Sequence, residues 1–109
     1  MSDEKLDRFV GWSIRQWSLL PQLGMTLSLI NFRAPLDAEY ASIWAKIVFS
    51  EPKSVEFIEV KLGLGLEIDI EKAFTSAMNN GFEKYEILTS RDGKIIVVAK
   101  QVSWIFSRG

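Results

Sequence analysis

Glu59-Val60-Lys61 places a carboxylate and an ammonium two positions apart. Side chains alternate along a strand, so on a strand these two groups share one face. An acid that holds Mg²⁺ beside a lysine that positions or activates water is a combination able to hydrolyse phosphodiesters. Most other common chemistries are excluded, because the 109 residues contain neither Cys nor His. There is no thiolate nucleophile, disulfide or thiolate zinc site, and no imidazole base or Ser-His-Asp triad. The oxygens that remain suit only a hard cation.

The run 55–61 resembles the motif strand of Mg²⁺-dependent nucleases of the PD-(D/E)xK type. That resemblance implies metal-binding roles for Glu59 and for an upstream acid, Asp37 after Pro35-Leu36, an accessory acid, Glu4 on the first helix, and a water-handling role for Lys61. It covers a minor part of the chain, Leu36 splits the upstream dipeptide, and a helix over 37–49 would leave no strand after Asp37. A solvated strand end whose ion pair contributes about 0–1 kcal/mol accounts for Glu59 and Lys61 without catalysis. Gly63-Leu64-Gly65 before a helix suggests a phosphate cradle, but Glu67, Asp69 and Glu71 would repel phosphate there, and no Lys-Ser/Thr follows. The same acids lack the central Gly and terminal Glu of a Ca²⁺ loop. No metal and no cofactor is therefore expected.

The stronger signal is apolar. The chain has four Trp and seven Phe, with Trp12, Trp17, Trp44 and Trp104 spread along it. Base stacking would need a positive groove. Here 13 basic and 14 acidic residues give a net charge of −1, with no basic cluster. Neither nucleic acid nor an anionic membrane surface is an expected partner. Mean hydropathy is +0.09, and a chain this short buries only about 65% of its surface on folding. Some aromatic surface should then meet a neighbour. Val102, Trp104 and Phe106 would line one face of a terminal strand, and Trp12 adds to the apolar surface of the first helix. These four are the candidate partner-binding residues. The expected function is a non-enzymatic protein-interaction or accessory domain that self-associates or binds another protein. The alternatives are the nuclease-like enzyme and a small-molecule binder with an aromatic pocket.

The elements expected to position these residues form one α+β domain over 1–109. A helix is predicted over 3–20 from the stripe Leu6, Phe9, Val10, Ile14, Trp17 and Leu20, and stops at Pro21 and Gly24. A strand follows over 25–33. Leu36, Tyr40, Ile43, Trp44, Ile47 and Val48 predict a helix over 37–49. Residues 54–62 alternate as a strand. Ile70, Ala73, Phe74, Ala77 and Met78 predict a helix over 69–80, capped by Asp69 and stopped at Asn79-Asn80-Gly81. A hairpin joins 85–89 to 94–102 through Ser90-Arg91-Asp92-Gly93, and its last strand runs on through Trp104 and Phe106. The order is α-β-α-β-α-β-β, with one sheet of about four strands. The longest apolar run, Ile95 to Ala99, is far too short to span a bilayer, and no leader pattern opens the chain. A cytoplasmic location is the expectation.

Overall fold

The structure, a computed structural model, describes residues 4–20, 24–31, 43–60 and 68–108. It overturns the α+β expectation. Eight antiparallel strands run β1 (Ser13–Leu20), β2 (Gly24–Asn31), β3 (Ile43–Ser50), β4 (Ser54–Ile58), β5 (Ile68–Ala77), β6 (Glu83–Thr89), β7 (Gly93–Ala99) and β8 (Gln101–Arg108). Among the described residues, helix is confined to α1 (Glu4–Asp7) and a 3₁₀ turn at Asn79–Gly81.

The ladder order is β4-β7-β6-β5-β1-β2-β3-β8. β3 runs into β4 through Glu51-Pro52-Lys53, and β7 runs into β8 through Lys100 alone. The two bent strands stay paired across the bend, where the Lys100 N–H donates to the Ser50 carbonyl (3.0 Å) and the Lys53 N–H donates to the Val98 carbonyl (2.6 Å). The pairings therefore return on themselves and form a closed barrel. One side is β1-β2-β3-β8 and the other is β5-β6-β7-β4. At the far seam Ser13 faces Asp69 and Ile14 faces Ile68. The Gly11 N–H donates to the Ile70 carbonyl and the Ile70 N–H donates to the Trp12 carbonyl. The Ser13 hydroxyl closes the seam by donating to the Asp69 carboxylate. Asp69 thus ties two sheets together instead of capping a helix.

Inward residues alternate along β2, β3, β6 and β7, as a half-buried sheet requires. Met25, Leu27 and Leu29 of β2, Ala45, Ile47 and Phe49 of β3, Tyr85 and Ile87 of β6, and Ile95, Val97 and Ala99 of β7 form the core. The predicted strand over 25–33 is present as β2 over Gly24–Asn31, and 32–33 lie outside the described residues. Of the predicted strand over 54–62, Ser54–Ile58 is present as β4, ended by a bend at Glu59, and the hairpin is present as β6–β7. Its reversal places Arg91 and Asp92 at positive φ, and Gly93 is the first residue of β7.

Tyr85 is fully buried, and its hydroxyl donates to the Glu83 carboxylate (2.8 Å). Burial pushes the phenol well above its ordinary value, and the Glu83 hydrogen bond and negative charge push it further. The neutral phenol is therefore the form that the fold prefers. The stability it contributes is complete below pH ~10 and falls as pH rises above that value. Tyr85→Phe should cost about 1.5–3 kcal/mol at neutral pH, the usual contribution of a hydrogen bond to a charged acceptor. The difference between the wild-type and variant stabilities should shrink as pH climbs beyond 10. Urea melts at a series of alkaline pH values measure this.

Candidate functional site

The N-terminal segment shapes the aromatic surface. α1 ends after one turn, where the Phe9 N–H donates to the Leu6 carbonyl and the Trp12 N–H donates to the Phe9 carbonyl, each at 3.0 Å. Gly11 at φ 93 then turns the chain into the seam with β5, a conformation that a Cβ would resist. Leu6, Phe9 and Trp12 are thereby buried. Phe9 meets Trp12 and Trp104 edge-on at 5.3 and 5.7 Å and stacks on Phe106 at 5.8 Å. The Arg8 guanidinium lies 4.7 Å from the Trp104 ring centre. Three of the four expected interaction residues, Trp12, Trp104 and Phe106, therefore form one cluster with Phe9. Val102 packs beside it against the core. Trp12 is 8% exposed and acts as core. Phe106 keeps about half its surface open.

β8 pairs with β3 from Ile43↔Arg108 to Ser50↔Gln101. Among the described residues no strand pairs with its other edge. On its outer face Ile105 is 64% exposed. Sequence reasoning missed Ile105 because it searched the Trp104 face alone. The signal was available: an apolar residue stands out of phase with Val102, Trp104 and Phe106.

Three other edges are also open in part: β4 is short, and β1 and β5 are bulged and charged where their open stretches begin. β1 pairs with β5 only at Ser13 and Ile14, and their ladder stops there. A bulge at Ile14/Gln16 and the Arg15 charge interrupt that edge. β5 beyond Ile70 carries a bulge and Glu71-Lys72. β4 is five residues long, contains Glu56, and lies between Glu51 and Glu59, both at positive φ. Lys53 and Lys100 cover Phe82 at the adjoining bend, 5.5 and 4.8 Å from its ring centre. Bulges, charge and shortness are the devices that keep an edge from pairing with another chain. β8 has none of them: it is eight residues long, is regular, and carries no charge before Arg108.

No protein-family model, curated protein or solved structure matches this chain. The reading of its site therefore rests on geometry.

The hydrolytic constellation is not assembled by what the structure describes. Asp37 and Lys61, and the Gly63-Leu64-Gly65 run with Glu67, lie outside the described residues. Glu59 stands just past β4 at φ 56, an exposed bend residue. The bend ends the alternation that would have aligned it with Lys61, and it turns Val60 onto the core. Residues 43–50 do form a strand, which the nuclease-like core requires, but the strand belongs to an antiparallel barrel. Among the described residues no group of three or more acids is placed to hold a metal ion. No helix among them is long and apolar enough to cross a membrane.

A second apolar surface lies on β1. Trp17 is 45% exposed and packs on Phe57 of β4 at 4.8 Å, with Leu19 and Leu20 also exposed. Trp17 and Leu19 face inward by register, opposite Leu27 and Met25. They stay open because β5 leaves β1 after Ile14.

Proposed function

We propose that this chain is a non-enzymatic interaction module that self-associates through the open edge of β8. The carrying observation is the contrast among edges: three are short, or bulged and charged where they open, and the longest regular one is none of these. An open antiparallel edge presents a row of unused N–H and C=O groups that a second strand can satisfy. Exposed Ile105 and Phe106 add apolar surface directly beside that row. The net charge of −1 leaves little repulsion between copies. The aromatic cluster fits this role better than a ligand pocket, because its rings pack on one another. Absence of Cys agrees with a reducing, cytoplasmic setting.

Light scattering across micromolar concentrations should give twice the single-chain mass. Ile105→Lys, at an exposed position, should leave the fold intact and weaken association by at least about 30-fold, the size of an interface hot spot. A wild-type mass of one chain throughout that range overturns the proposal. A dimer indifferent to Ile105→Lys but lost with Trp17→Lys moves the interface to β1 and also overturns it.

A further inference from the structure

We infer that the occupant of the β8 edge is the β8 edge of a second copy, paired antiparallel with Ile105 facing Ile105 on a two-fold axis. This rests on the self-association proposed above and fixes its geometry.

The argument begins with symmetry. Most small homo-oligomers are two-fold dimers in which the same patch meets itself. In an antiparallel ladder, opposed residues point to the same face of the sheet. A two-fold normal to the sheet also puts equivalent residues of the two copies on the same face. Only registers in which one residue faces itself satisfy both conditions. For β8 the centres that retain a long overlap are Trp104 and Ile105.

Charge and exposure separate the two. Centring on Trp104 sets Lys100 opposite Arg108 twice, at both ends of the ladder. It also brings together the two Arg8 guanidinium groups that lie over the Trp104 rings. Like charges directly opposed destabilise a strand pair. Centring on Ile105 sets Trp104 opposite Phe106 on either side of the axis, Ser103 opposite Ser107, and Val102 opposite Arg108. No like charges meet. Two aromatic cross-strand pairs form on the inner face, where Phe106 is otherwise half open. On the outer face the most exposed apolar side chain of β8 is buried against its own copy. The product is a continuous sheet through both molecules, with both aromatic clusters on the same side.

The natural chain has no Cys, so a single introduced thiol reports register without background. Ile105→Cys should form a disulfide-linked dimer on mild oxidation, because a residue on the axis meets its own copy within bridging distance. Ser103→Cys mixed with Ser107→Cys should cross-link as a heterodimer. Ser103→Cys alone should not, since its copy lies several residues away along the ladder. A wild-type dimer by light scattering combined with failure of both cross-links overturns the register and leaves self-association standing. Efficient cross-linking of Trp104→Cys with none at Ile105→Cys shifts the axis by one residue and overturns the inference in the same way. A wild-type chain that stays single overturns both.

Discussion

Phe9→Ala should remove about 3–5 kcal/mol of stability, the range measured for truncating a buried aromatic ring. Phe9 is fully buried and is the hub of the aromatic cluster, in ring contact with Trp12, Trp104 and Phe106. Its neighbours come from the segment before β1 and from β8, elements at opposite ends of the chain. A chain of this size has about 5–15 kcal/mol in all, so the variant would lie close to its folding threshold. Thermal melts followed by Trp fluorescence should show a drop on the order of 15–30 °C. Conservative Phe9→Leu should recover more than half of it. A melt within a few degrees of wild type would mean that the segment before β1 does not hold β8 in place.

Two of the three predicted helices, over 3–20 and 69–80, gave way to strands for one cause. In β1 the inward residues are Ile14, Trp17 and Leu19, and in β5 they are Ile68, Ile70, Ala73 and Thr75. Each series contains one step of three among steps of two. Those steps lie at the bulges, between Ile14 and Gln16 and between Ile70 and Lys72. A bulge adds one residue to one strand and so converts a period of two into a local spacing of three. With apolar residues on the outer face as well, such as Phe74, that spacing is indistinguishable from a helical stripe. Gly11 marked the true break in the first segment, because its positive φ ends the helical turn before the strand begins.

β3 was misread for another reason. Ala45, Ile47 and Phe49 face inward in strict alternation, but Trp44 and Val48 on the outer face are also half buried. Apolar residues on both faces erase the period-two signal. β2 and the β6–β7 hairpin were legible because their outer faces carry Thr26 and Ser28, and Lys84, Glu86 and Lys94. Asn79-Asn80-Gly81 was recognised as a stop, yet it reverses the chain between β5 and β6. Left-handed conformers serve either purpose. The aromatic face of β8 was legible in the same way, through alternation of Val102, Trp104 and Phe106. That β8 ends a ladder was not, because edge status depends on which strands pair at long range.

Gly24→Ala should cost about 3–5 kcal/mol, the sum of left-handed strain and a steric collision. Gly24 opens β2 at φ +89, a conformation that L side chains rarely adopt. A Cβ there would run into the carbonyl oxygen of Phe49 and lie 3.3 Å from its carbonyl carbon and 3.4 Å from the Ser50 Cα. All three are backbone atoms, so no rotamer change relieves them. Nor can that backbone retreat freely. Phe49 is fully buried and paired with both Met25 and Val102, while the Ser50 carbonyl accepts the hydrogen bond that carries β3 and β8 across the bend. Gly81 provides the control. It also has positive φ (79), but a Cβ there meets only the end of the Lys100 side chain, at 3.7 Å. Gly81→Ala should therefore lose only the conformational part, about 1–2 kcal/mol. The excess of the Gly24 variant over the Gly81 variant in paired urea melts isolates the collision. Equal losses at the two positions would show that the end of β3 yields, and that the bend joining the two sheets is softer than its hydrogen bonds indicate.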